Sequence, residues 1–403
     1  MTVDALGDEM LITGGRVLIG SGTYLTDGAV LTDGDLITAV GPRAQILNQA
    51  RADIPRFDFS GTIVPGLIDA HVHLVFDGGT EPLATFLSTT DEQLFQDMRS
   101  RAERLLHSGV TTARDLGDRN GLALRLATEI DAGRTPGPQI IAAGTPATPP
   151  GGHCYFLGGE VAGEDEIRAL VRLNLAAGAA VIKVMASGGG LTKDGPKSFE
   201  SQFSPEELAA LVDEAHKAGV RVAAHAHGAD GIAASVEAGV DTIEHCTWMT
   251  SDGFDLRHDV LTRIVDQDIA ICPAVNPNWQ MLPLVFGAER AETIFDQVRQ
   301  MEAAGAKIVT GTDAGVQRAG FDSLVAALSF YAHLGLANSN VIEMATSGAA
   351  EALGLGSTTG RIAPGYRADL LIVDGDPLAD LDALSQVQAV FAAGRRYEPR
   401  AQA

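Results

Sequence analysis

Five of the chain's ten histidines fall in three tight settings: His71 and His73 in LIDAHVHL, His225 and His227 in RVAAHAHG, and His245 in VDTIEHC. Residues two apart in an extended strand project to the same side, so each pair offers two imidazoles to one point. Neutral imidazoles are good ligands for zinc and similar divalent ions. A lone buried histidine is usually a satisfied core residue, but two closing an apolar strand are harder to explain that way. Asp313 lies in VTGTDAG, at the close of another candidate strand. A carboxylate there can bind a metal and take a proton from water, whose pKa a bound ion lowers to about 7.

Lys183 is the first lysine in a chain that has only five, and it stands in AVIKVMASG among apolar neighbours. A charged amine buried there is costly without a partner. It therefore calls either for an ion pair or for carboxylation by CO₂, which would turn the amine into an anionic bridge between two metals. Taken singly, each of these residues reads as a polar strand end held by backbone contacts; together at strand ends they read as a metal site.

These side chains need strands that converge. Candidate strands recur at 67–74, 110–117, 138–144, 180–188, 221–228, 240–246, 269–275 and 307–315. Most are followed by an amphipathic helical stretch such as 204–219 or 288–305. Eight alternating strand–helix units predict an α/β fold of the (β/α)₈ TIM-barrel kind, with the chemistry at the carboxyl ends of the strands. The first sixty residues and the last forty instead alternate polar and apolar positions between Gly-Ser, Asp-Gly and Gly-Pro turns. The expected organisation is a composite β-sandwich of residues 1–65 plus 357–403, beside a barrel of residues 66–356. The segment TPATPPGGH (145–153) is a Pro/Gly-rich loop long enough to overhang a pocket.

The formal net charge is −23, so nucleic acid and anionic membranes are disfavoured as partners. No run of about 20 apolar residues suits a bilayer crossing. The acidic start lacks a signal-peptide pattern, and a cytoplasmic location is expected. Three cysteines, Cys154, Cys246 and Cys272, do not make a disulfide framework. There is no G-x-S-x-G elbow for a serine nucleophile. Nothing fixes an oligomeric state, and a homo-oligomer is left open.

The run PGLIDAHVH, the lysine on the fourth strand, the histidines ending the fifth and sixth, and TDAG on the eighth resemble the amidohydrolase superfamily, over nearly the whole chain including GRIAPGYRADLLIVDGDP. The resemblance implies a binuclear metal-dependent hydrolase, with zinc the favoured ion. His71, His73 and Asp313 would hold one metal, His225 and His245 the other, and carboxylated Lys183 would bridge them. Asp313, Lys183 and His245 form the implied catalytic group, Asp313 as the base that later protonates the leaving amine.

VTTARDLG, the Gly-Gly-His loop at 151–153, IKVMASGG and HAHG resemble the imidazolonepropionase-like branch that includes prolidase-type dipeptidases and carboxypeptidases. That implies cleavage of a C–N bond in a peptide or N-acyl amino acid. A cyclic amide, an aryl urea or carbamate, and a modified peptide of natural-product biosynthesis are the alternatives; a non-catalytic barrel scaffold is a fourth. His153, Tyr155, His227 and Arg114 are the candidate substrate contacts. His227 stands where several dipeptidase relatives carry an aromatic hydroxyl. Arg114 reads either as an anion clamp or as the partner of Asp115 or Asp118.

Overall fold

The computed structural model describes residues 9–20 and 22–399. Strands from both ends of the chain share one eight-stranded sheet: Met10–Gly20, Thr23–Asp33, Leu36–Pro42, Arg56–Asp58 and Thr62–Pro65 from the start, and Leu370–Val373, Val387–Ala392 and Arg395–Tyr397 from the end. The two ends meet where Thr62–Pro65 runs antiparallel to Leu370–Val373, with Ile63 opposite Ile372. Successive residues of a strand face opposite sides, and here both sides are covered. Ile12, Val30, Ile63 and Phe391 pack on one face, and Leu11, Ala29 and Leu31 pack on the other against Ile46 and Ile54.

The middle of the chain alternates strands and helices, and its strands are parallel. Leu67–Val72, Val110–Asp115 and Gln139–Ala142 form a three-stranded sheet. Val181–Met185, Arg221–Gly228, Thr242–Met249, Ala270–Cys272 and Lys307–Ile308 form a five-stranded one. Every residue of Leu67–Val72, Val110–Asp115 and Val181–Met185 is buried, as expected of parallel strands covered on both faces. The helices Asp91–His107 and Pro205–Lys217 start at Thr90 and Ser204, whose side chains accept the first free backbone N–H groups. At the second of these, Glu207 reciprocates to complete a capping box.

One continuous eight-stranded ladder was the expectation; the regular ladder instead falls into these two arcs. At one seam Ala70 N donates to Thr310 O, Asp313 N to His71 O and His73 N to Ala314 O, at 2.7–2.9 Å. At the other, Ala180 N donates to Ala142 O, Ala147 N to Lys183 O and Met185 N to Ala147 O, at 2.9–3.0 Å. The ladder is interrupted because the chain leaves extended geometry there. Gly144 (φ 68°) and Asp313 (φ 56°) are left-handed, a conformation that breaks strand pairing. For the same reason the expected strands at 269–275 and 307–315 shorten to Ala270–Cys272 and Lys307–Ile308, the first ending just before the left-handed Ala274 (φ 50°).

Candidate active site

The strand ends bring the chemistry together. Leu67–Val72 carries Asp69 and His71 on one side, with His73 just beyond its last residue. Asp69 accepts hydrogen bonds from Thr312 N (3.1 Å) and Thr312 Oγ1 (2.6 Å), which locks the segment before Asp313 onto the first parallel strand. Asp313 Oδ1 then lies 3.4 Å from His71 Nε2 and 3.5 Å from His73 Nε2. His245 (φ 68°) is left-handed like Asp313. Non-glycine residues in that region cost of order 1–3 kcal/mol each, and such strain concentrates where side-chain placement matters.

Three groups of candidate metal ligands lie among the described residues: His71 with His73 and Asp313, His225 with His227 and His245, and, deeper, His71 with Glu244 and Cys272; within each, the ligand atoms lie within 4.8 Å of one another. The first two adjoin, since the His71 and His245 rings are 5.1 Å apart. Lys183, only 1% exposed, shares their cavity. Its Nζ has no hydrogen-bond partner among the described residues. Burial holds its amine below the usual lysine range. The imidazoles are likewise held neutral by burial: His73 is pushed down to about 3 and His227 to about 4, with the nearby Lys183 charge adding to the effect. Neutral imidazole is the ligating form. Burial raises Asp313 to about 7, against the opposing pull of Lys183. Imidazoles, a carboxylate and an amine without a partner make a donor set suited to divalent transition ions.

His227 belongs more closely to this cluster than a substrate contact would. Its ring stacks on His245 at 4.5 Å, and its Nδ1 is 2.9 Å from Thr247 Oγ1. His153 lies over the site as its loop position suggested, 4.6 Å from the His225 ring, with Nδ1 3.2 Å from Thr192 Oγ1. Tyr155 is 44% exposed and lines a neighbouring groove rather than the histidine cavity. Arg114 is a correction. Its guanidinium is buried behind the site, donating to Glu244 Oε1 (2.7 Å), Thr242 Oγ1 (2.8 Å) and Ala70 O (2.7 Å). Neither Asp115 nor Asp118 is its partner: Asp115 accepts from Leu74 N and Gly117 N, and Asp118 caps the helix Leu122–Asp131.

Glu244 is the residue that sequence reasoning missed. One of its oxygens takes the Arg114 and Thr242 bonds, and the other lies 2.8 Å from His71 Nδ1. This fixes the His71 tautomer and leaves Nε2 free toward Asp313. The available signal was a charged residue inside an apolar strand, the same signal that singled out Lys183. We expect Glu244→Gln to weaken metal binding about 10–100-fold, measured by competition with a chelator. Affinity equal to the parent would remove Glu244 as the group that orients His71.

The cavity over these residues measures about 340 Å³ and is also lined by Phe76, His153 and Met185. On one side, sharing Leu191 and Gln317 with it, runs a groove of about 600 Å³ bearing Leu83, Tyr155, Phe156, Lys193 and Asp194. On the other, sharing His227 and His245, lies a mainly apolar chamber of about 200 Å³.

Residues 62–397 match the amidohydrolase family. Ochratoxinase of Aspergillus niger is 27% identical over 430 residues, which cover 96% of this chain and 86% of the relative. Imidazolonepropionase of Cereibacter sphaeroides is 28% identical over 413 residues, 92% of this chain and 95% of the relative. A solved Xaa-Pro dipeptidase with bound methionine superposes with a TM-score of 0.85 at 28% identity, covering 97% of this chain and all of that one. The chain belongs to the amidohydrolase family and is a hydrolase acting on carbon–nitrogen bonds.

Proposed function

We propose that this enzyme is a binuclear metal-dependent hydrolase that cleaves an amide bond in a peptide or N-acyl amino acid. The observation that carries the reading is Lys183: a fully buried amine with no partner, set among histidines and a carboxylate. As the neutral amine it can add to CO₂ and lose a proton, forming a carbamate whose two oxygens would face the two ligand groups. His71, His73 and Asp313 would hold one ion, and His225 and His245 the other, with His227 at the substrate side of the second. Zinc suits these donors best.

Divalent ions bound there would polarise the scissile carbonyl and make hydroxide available near neutral pH. Asp313, beside both His71 and His73, takes up a proton during attack and returns it to the departing amine. His153, over the cavity, is placed to donate to the carbonyl or carboxylate oxygen of the substrate. Phe76 and Met185 line the same cavity, and their apolar surface lowers the local dielectric around these polar contacts.

In this reading the two parallel arcs form one (β/α)₈ barrel, residues 66–356, and the shared sheet of residues 1–65 plus 357–403 is a separate supporting unit. No helix among the described residues is long and apolar enough to cross a membrane. The three cysteines are free and buried, in keeping with a cytoplasmic setting.

The Xaa-Pro dipeptidase likeness at 28% identity supports a peptide-like substrate. The imidazolonepropionase relative favours a second reading, ring opening of a cyclic amide. Mass-spectrometric product analysis tests both, using metal-loaded enzyme on dipeptides, N-acyl amino acids and cyclic amides. We expect two fragments from linear amides with a free carboxyl terminus. Gain of one water without fragmentation, confined to cyclic substrates, would establish the second reading, and no reaction of linear amides would overturn the first.

A further inference from the structure

The mainly apolar chamber beside His227 and His245 is walled by Met249, Val275, Leu282, Val298 and Phe330. Gln297, on the helix Ala288–Ala303, also lines it. That helix turns Ala291, Phe295, Val298 and Met301 inward, and Gln297 is buried with them at 3% exposure. Its Oε1 is buried without a hydrogen-bond partner among the described residues. A buried amide left unpaired is a penalty that folding normally avoids, so such a group asks for a partner from outside. The chamber has room for one: a dry cavity of about 150 Å³ admits a benzene ring, and this one measures about 200 Å³.

Resting on the amide-hydrolase reading above, we propose that this chamber receives a side group of the substrate, and that Gln297 recognises a hydrogen-bond donor on it. The substrate class is an amide bearing an aromatic ring with a hydroxyl or N–H at its far edge. The apolar walls take the ring, and rotation of the Gln297 carboxamide brings Oε1, enclosed in this conformation, round to accept from the donor. The scissile carbonyl is then left beside His245 and Asp313, while the other half of the substrate extends toward the groove of Tyr155 and Lys193.

Two measurements test this. In the first, kcat/KM is compared for N-acyl amino acids carrying phenyl or 4-hydroxyphenyl, placed first in the amine half and then in the acyl half. One of the two series should favour the hydroxylated member at least about tenfold, because a site built to bond a hydroxyl rejects the analogue lacking it. Gln297→Leu should reduce that preference to below about threefold, with metal content unchanged and a melting temperature no lower than the parent's. Val275→Trp, which fills the chamber, should slow ring-bearing substrates at least about tenfold more than their alanine counterparts.

The second measurement needs no turnover. In NMR titrations p-cresol should bind the parent more tightly than toluene, and the difference should vanish in Gln297→Leu. Equal handling of the phenyl and hydroxyphenyl members by the parent overturns the proposal. So does a preference that survives Gln297→Leu, or a melting temperature that falls by several degrees in that variant. If p-cresol behaves as expected while no amide is hydrolysed, the chamber assignment stands and the amide-hydrolase reading falls.

Discussion

Lys183→Ala should cost the enzyme at least one of its metal ions and lower kcat/KM by at least about a thousandfold, the scale on which removing a group essential to the reacting centre is felt. A buried ammonium would normally be paired, and Lys183 Nζ is not. With the side chain gone, the four histidines and Asp313 remain, but nothing anionic stands between their two groups. Metal content measured by atomic emission should then fall from about two per chain to one or less. The fold should survive, because the substitution removes an unpaired buried amine rather than a bonded one; an unchanged far-ultraviolet spectrum checks this. Short carboxylates such as formate or propionate should restore part of the activity. Rescue of that kind separates a bridging role from a packing role. Full metal content and activity in Lys183→Ala would sink the bridging assignment.

Much of the candidate site was legible because its residues break local rules. A charge in AVIKVM and paired histidines in apolar strands are anomalies visible without a structure. The fold class was legible for a related reason: long apolar runs alternating with amphipathic helices leave few alternatives to a parallel α/β arrangement. What composition does not carry is a change of backbone hand. Residues 309–315 are buried like a strand interior apart from Asp313 itself, yet Asp313 is left-handed, and the regular ladder stops at Ile308. The same holds at Ala274, two residues past Cys272.

Partner choice was illegible wherever it depends on distant chain. The sequence offers Arg114 as an anion clamp or as a partner of carboxylates one and four residues away, but its partner is Glu244, 130 residues on. Asp115, next to Arg114 in the same strand, projects to the opposite face and is held by the backbone of Leu74 and Gly117. Gln297 left no trace in the sequence, since a glutamine on an amphipathic helix reads as solvated. Only the packing of Val298, Met301 and Phe330 around it makes its unpaired oxygen conspicuous.

Asp313→Asn separates metal binding from proton transfer, and we expect it to retain at least one metal per chain while losing about 10²–10⁴ in kcat. Asparagine keeps a carbonyl oxygen where Asp313 Oδ1 now stands, within 3.5 Å of both His71 and His73. Thr312 and Asp69 still lock the segment in place, since neither of their bonds involves the Asp313 side chain. The amide has no basic oxygen able to carry a proton from water to the leaving amine. KM should therefore move little while kcat collapses, and leaving groups that need no proton should be affected least. A 4-nitroanilide, whose anion departs more readily than an alkyl amine, gives the comparison directly. If the variant hydrolyses alkyl amides as fast as the parent, Asp313 is not the base, and His153 or His227 becomes the group to test. Equal loss on both leaving groups, with metal retained, would confine Asp313 to the attack step.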